Sequence, residues 1–205
     1  RVAHLDLGGA PRLGVGNHSA VHRAALTLPC PLGPVVTVAA KTAFEEMDAR
    51  KLLATEGAVY DAMPTHLQED WSGLNLVAPL MHPVPVGAVA AKFYGYYVPV
   101  REDDAKESEE YELCGSESHK AWKRLSPILL LEECGEPIFP SAFTPDARSE
   151  CYSLALRLHY AQITQNSFYV RNVLRQPGPL TVAPALRSLD TPSFRIIDFG
   201  RGEAW

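Results

Sequence analysis

The sequence predicts an α+β fold, on two observations. Short apolar or aromatic runs closed by glycine and proline turns, at 5–28, 35–40, 93–98 and 128–131, read as strands of an antiparallel sheet. The stretches 45–63 and 144–163 instead carry apolar residues at helical spacing. A chain of 205 residues, 46% of them hydrophobic, has enough apolar material for one ordinary domain or two small lobes.

Taken in order, residues 5–28 read as strand, glycine-rich turn, strand, because apolar residues flank Gly14 and Gly16 and the run 21–28 is largely apolar. Pro29, Pro31, Gly33 and Pro34 make the next turn, and the nearly continuous apolar run 35–40 is a buried third strand with Lys41 at its end. Residues 45–63 have helix-forming composition. Leu52, Leu53, Ala54, Ala58, Val59 and Ala62 form the expected apolar stripe, and Pro64 ends the helix. The aromatic run 93–98 is a fourth strand. Residues 101–124, with acidic runs at 102–104 and 107–112, read as a solvated insertion at a hairpin position, either a mobile acidic loop or a docking surface for a basic partner protein. Beyond the strand that begins at Ile128, Thr144-Pro145-Asp146 is a helix start, followed by Ala147, Cys151, Leu154, Ala155 and Leu158 on one face. The proline-rich stretch 176–192 is expected as a surface excursion.

Composition narrows the function classes. The net charge is −5 and no block of Lys or Arg is long enough to track a phosphate backbone, which argues against a nucleic-acid partner. Cys30, Cys114, Cys134 and Cys151 are far apart and lack zinc-ligand spacing, so reduced thiols and an intracellular location, cytoplasmic or nuclear, are expected. No apolar run approaches the roughly 20 residues that span a bilayer, and no membrane association is expected.

The chemistry-bearing segments lie in a particular order. Leu13-Gly14-Val15-Gly16-Asn17-His18-Ser19-Ala20-Val21 is a glycine-rich hairpin. Val38-Ala39-Ala40-Lys41 ends a strand on a lysine, and Glu56 lies on the following helix. Ile128-Leu129-Leu130-Leu131-Glu132-Glu133-Cys134-Gly135 runs a strand into a turn. Near the C-terminal end come Tyr169-Val170-Arg171-Asn172-Val173-Leu174 and Phe194-Arg195-Ile196-Ile197-Asp198-Phe199-Gly200. Together these resemble the protein kinase-like superfamily over most of the chain, and look closest to the divergent kinase-like proteins that fungi carry in large numbers.

The resemblance implies a two-part α+β architecture. Residues 1–135 would be an antiparallel-sheet small lobe with one helix, running through a hinge, and 136–205 an incomplete helical large lobe with the catalytic loop and the Asp-Phe-Gly turn. It implies ATP and Mg2+ as ligands. Leu13, Gly14, Gly16, Ser19, Val21 and Ala39 would line the nucleotide, Lys41 would contact its α and β phosphates, and Glu56 would position Lys41, with Glu45 and Glu46 on the same segment as alternatives. Leu131 would be the gatekeeper, with the Glu132 carbonyl and the Cys134 amide facing adenine. Asn172 and Asp198 would hold magnesium, an oxygen donor set suited to a hard cation.

Two departures bear on activity. The position of the catalytic Asp, five residues before Asn172, is Ser167, in the triplet Gln165-Asn166-Ser167. A serine hydroxyl is no base near neutral pH, and loss of such a group costs about 10²–10⁴-fold in rate. Asp190 in the later insertion is a conceivable replacement carboxylate. The sequence also stops five residues after Gly200, so the activation segment and later helices of the family are not represented. The leading expectation is an ATP/Mg-binding kinase-like domain with phosphoryl transfer weak or lost. The alternatives are an active phosphotransferase on protein Ser/Thr or a small molecule, and a pseudokinase scaffold that binds no nucleotide.

Overall fold

A computed structural model of the chain describes residues 4–27, 35–74, 83–99, 125–178 and 182–205. The acidic insertion 101–124, Cys30 and Cys114 lie outside the described residues. The architecture is α+β, and the chain divides into two compact units, one of residues 1–54 and 95–130, the other of residues 55–94 and 131–205.

The first unit is built on an antiparallel sheet. Its strands are β1 (His4–Asp6), β2 (Arg12–Val15), β3 (Ser19–Thr27) and β4 (Val35–Ala43), joined by parts of β7 (Phe93–Tyr97) and β8 (Ile128–Glu132). The order is β1-β3-β4-β8-β7, with β2 also pairing β3. β3 and β4 pair without interruption from Ser19 opposite Ala43 to Thr27 opposite Val35. Side chains alternate along β4, so Val38 and Ala40 are fully buried while Ala39 and Lys41 sit half-buried on the other face. Val21 stands directly opposite Lys41 and Arg23 opposite Ala39, which puts Val21, Ala39 and Lys41 on one side of the sheet.

Helix α1 (Met47–Ala62) spans nearly the segment that its composition suggests. Its buried face is rotated from the expected one. Ala49, Leu53, Glu56, Tyr60 and Met63 are buried at spacings of three and four, whereas Ala54, Ala58 and Ala62 are exposed. Alanine loses little by facing water, so the face is set by the larger Leu53, Tyr60 and Met63, whose burial removes far more apolar surface.

In the second unit, α2 (Thr65–Gln68) follows at once, and Gln68 ties the pieces together. Its Nε2 donates to the Tyr60 and Met63 carbonyls at the end of α1, while its Oε1 accepts the Phe93 N–H. β5 (Trp71–Leu74) and β6 (Pro83–Val86) pair antiparallel. Helix α3 (Pro145–Tyr160) begins as expected, with Thr144 as N-cap accepting the Ala147 N–H and Pro145 in the first turn. Leu154 and Leu158 are its buried residues, and Tyr152, Leu156 and Tyr160 face outward.

β9 (Glu136–Pro137), β11 (Val173–Gly178) and β12 (Ser188–Ile196) form a three-stranded sheet in the order β12-β11-β9. The proline-rich segment, expected as a surface excursion, has its two ends in β11 and β12, and its described residues between Val182 and Pro192 are exposed or half-buried. Pro177 falls at a register shift between Gln176 and Gly178, and Pro192 lies on the edge strand, the two places where a missing N–H is tolerated. The short strands β10 (Ile163–Thr164) and β13 (Glu203–Ala204) pair with each other. No helix among the described residues is long and apolar enough to cross a membrane.

Candidate functional site

Two loops of the second unit converge. One runs from the end of α3 through β10 to Asn172, the other from the end of β12 through Asp198 to β13, and the β10–β13 pairing closes them together with Ile163 opposite Ala204. Backbone bonds add further closure, from the Ile197 N–H to the Asn172 carbonyl at 2.9 Å and from the Trp205 N–H to the Gln162 carbonyl at 3.1 Å. A Cβ at Gly202 would lie 2.9 Å from the Thr164 carbonyl oxygen and 3.0 Å from that of Phe199, so only glycine allows this approach.

Among the described residues, the non-glycine positions in left-handed backbone are Gln162 (φ 59°), Asn166 (φ 54°) and Asp198 (φ 64°). All three belong to these two loops. An L-residue adopts that region at a cost; Gln162 does so just past the end of α3, a common helix ending, and Asn166 and Asp198 do so inside the loops.

Asn172, Ser167 and Asp198, three of the residues picked out by the sequence, are brought together here. Asn172 is 4% exposed; its Nδ2 donates to the Ser167 carbonyl at 2.9 Å and to Oδ2 of Asp198 at 3.3 Å. Gln165, also 4% exposed, donates from Nε2 to the Ile197 and Asp198 carbonyls at 3.0 and 2.9 Å, and its Oε1 accepts the Ser167 N–H at 2.8 Å. Sequence reasoning placed Gln165 only as a neighbour of the substituted position. The bonds that give it a role depend on contacts 32 and 33 residues away, which no local pattern announces.

Phe199 is fully buried beside Asp198, and its ring meets that of Tyr60 edge-on at 5.2 Å. Tyr60 in turn stacks on Phe93 at 5.9 Å. Burial pushes the Tyr60 phenol well above its ordinary range, and the carboxylate of Glu56, the Cys134 thiol, and the carboxylates of Asp198 and Glu132 add to the shift. The Tyr60 hydroxyl is a buried donor without a hydrogen-bond partner among the described residues. Glu56 is itself 1% exposed on the same helix.

Leu131, Glu132 and Cys134 lie at the end of β8 and in the turn after it. Leu131 and Cys134 are buried, and burial raises the Cys134 thiol well above its ordinary range, with the Glu132 charge adding to it. Gly135 (φ 84°) ends the turn where a Cβ would come within 2.3 Å of the Arg175 carbonyl oxygen. Beside the turn, Arg195 is 3% exposed and donates to the Ala88 and Phe194 carbonyls and to Oδ1 of Asp70 at 3.0 Å, with Glu132 at 3.7 Å. A buried guanidinium needs such partners to offset its desolvation. Arg195 thereby anchors the strand that leads into Asp198. Cys134 and Cys151 are free thiols.

Asp190, on β12 of the second unit, is exposed and its Oδ2 accepts from the Ser188 hydroxyl at 3.4 Å; the remaining sequence-picked residues belong to the first unit. The hairpin between β2 and β3 is held by the Gly16 N–H donating to the Ser19 carbonyl at 2.9 Å and by the Phe44 N–H donating to that of His18 at 3.0 Å. Leu13 is exposed. A Cβ added at Gly14 would meet nothing within 4 Å, and one at Gly16 only the Ser19 residue, at 3.7 Å to its Oγ. Neither glycine has a left-handed backbone. The fold therefore does not itself require glycine at either position. Val21, Ala39 and Lys41 share a sheet face, as described above.

Among the described residues, no three His, Cys, Asp or Glu side chains gather as a metal site. A scan against protein-family models finds no match, and a search of curated proteins finds none either.

Proposed function

We propose that the chain is a protein kinase-like domain that binds ATP with Mg2+ and transfers phosphoryl groups weakly or not at all. The observation that carries the reading is the Asn172–Asp198 contact, held in loops whose three left-handed residues include Asp198, with Ser167 five positions before Asn172. One carboxylate and one amide oxygen are few ligands for most cations. They suit magnesium, which keeps several waters and takes its remaining oxygens from phosphates. When bound, magnesium would neutralise phosphate charge.

The chain's own residues account for the rest. Gly14 and Gly16, free of any packing demand, leave the hairpin without side chains at two positions where a phosphate could come close to the backbone. Lys41 has the role of contacting the α and β phosphates, Glu56 that of positioning it, and the Glu132 carbonyl and Cys134 amide that of facing adenine. Ser167 contributes its backbone to the loop, accepting from Asn172 and donating to Gln165, and supplies no base. Its substitution for a carboxylate lowers transfer by about 10²–10⁴-fold.

Thermal melting tests the reading. With ATP and Mg2+ at about 100 times the dissociation constant the folded state gains about 2.7 kcal/mol, seen as a rise in Tm. Asp198→Ala should lose the magnesium-dependent part. A cooperative melt that ATP and Mg2+ leave unmoved in the parent chain would refute nucleotide binding and favour a scaffold.

A further inference from the structure

We propose that Gln165 is the positioning residue for Asp198, its side-chain amide setting the backbone conformation from which the Asp198 carboxylate meets a magnesium-bound nucleotide. The inference rests on the nucleotide-binding reading for its last step and on geometry for the rest. Both amide hydrogens of Gln165 are engaged, one by the Ile197 carbonyl and one by the Asp198 carbonyl, and its oxygen takes the Ser167 N–H. Because two acceptors face Nε2 and one donor faces Oε1, the amide can be oriented in only one way.

Asp198 lies in left-handed backbone two residues beyond the end of the β12 ladder, so its carbonyl has no ladder partner in β11. Carbonyls buried outside a ladder need a donor, and Gln165 serves two in succession. Through Ser167 the same side chain reaches the other partner, since the Ser167 carbonyl accepts from the Asn172 amide that also touches Asp198. One residue therefore fixes both oxygen donors of the candidate metal site without belonging to it.

Few other side chains can do this. Glutamate would place an anion against two carbonyl oxygens, histidine cannot donate twice from one nitrogen, and asparagine is a methylene too short. The arrangement is also neutral, so its hold does not change with pH over the range where histidine would titrate.

The test uses the full 205-residue chain, with Gln165→Glu as the isosteric variant and Gln165→Asn as the milder one if the first fails to fold. ATP affinity is measured by calorimetric titration with and without Mg2+, and amide hydrogen exchange is followed at Ser167 without ligand. Expected are at least a tenfold loss of the magnesium-dependent gain in affinity, metal-free ATP affinity within about twofold of the parent, and Ser167 exchange at least tenfold faster. An unchanged magnesium-dependent gain, or an equal loss of metal-free and metal-dependent binding, would overturn the positioning role. If the parent chain binds no nucleotide, the nucleotide reading fails by itself. Ser167 exchange then still decides the clamp: faster exchange in the variant supports it, and unchanged exchange overturns it.

Discussion

Nδ2 of Asn172 lies 3.3 Å from Oδ2 of Asp198, joining residues 26 apart in sequence. The same amide nitrogen bonds the Ser167 carbonyl, so the segment bearing the substituted position and the one bearing the carboxylate are coupled through a single side chain. The loops can keep their arrangement although a serine stands at position 167, because Ser167 takes part through its backbone. On the proposed kinase-like reading, this would separate ligand binding from proton transfer, and it is the physical basis for expecting the first to outlast the second.

Glycines 14 and 16 should be dispensable for folding and not for binding. Gly14→Ala and Gly16→Ala place a methyl group in open or ordinary contact space, and stability should stay within about 1 kcal/mol of the parent, since alanine gives up less backbone entropy than glycine. Gly135→Ala meets the Arg175 carbonyl at 2.3 Å from a left-handed backbone and should cost clearly more, about 2 kcal/mol or above. Urea denaturation gives the stabilities. The ATP-induced rise in Tm, measured on the two stable variants, should shrink if the hairpin approaches phosphate, and an undiminished rise would remove the hairpin from the site.

Gln162 should be improvable. It is exposed, has φ 59° and follows the last turn of α3, a place where glycine is preferred. Gln162→Gly should stabilise the chain by roughly 0.5–1 kcal/mol, read as a higher denaturation midpoint at constant slope. Destabilisation would mean that the Gln162 side chain contributes more than the backbone strain costs.

Alkaline pH should unfold the protein in part through two buried groups. Burial raises Cys134 above 9.0 and Tyr60 above 10.0 in the folded chain, whereas both titrate near those values when unfolded. Above them the unfolded chain releases protons that the folded chain retains, so stability is complete below about pH 9 and falls as pH rises, by up to about 1.4 kcal/mol per pH unit for each group. Tyr60→Phe should flatten the decline above pH 10. It should also leave neutral-pH stability unchanged or higher by about 1 kcal/mol, because it deletes a buried hydroxyl that has no partner among the described residues. An alkaline limb of unchanged slope in the variant would assign the loss to other groups.

What could be read from the sequence follows from how local each signal is. The start of α3 was legible because Thr144, Pro145 and the periodic residues after them act within one turn. β3 and β4 were legible as apolar runs divided by turn residues. The extent of α1 was legible and its face was not, since alanines at 54, 58 and 62 fit either side while Tyr60 is decided by what surrounds it. Strands of two residues such as β10 and β13 leave no pattern, and prolines 177 and 192 hid a hairpin that tolerates them only at a bulge and an edge. In the site, Asn172 and Asp198 stand in recognisable local strings. Gln165 and Arg195 matter through partners far along the chain, and their side chains in isolation say nothing of it.

The Arg195 network also bears on the order of events during synthesis. Its partners Asp70 and Ala88 precede it by 125 and 107 residues, so the contacts close very long loops. At about 5–20 residues per second, the ribosome exposes Asp70 roughly 6–25 s before Arg195 exists to meet it. The nascent second unit waits with its anchoring acid unanswered, and its final assembly belongs to the period after Arg195 has emerged. Contacts of this range make folding slow compared with the hairpin of β3 and β4, which can close as soon as both strands are made.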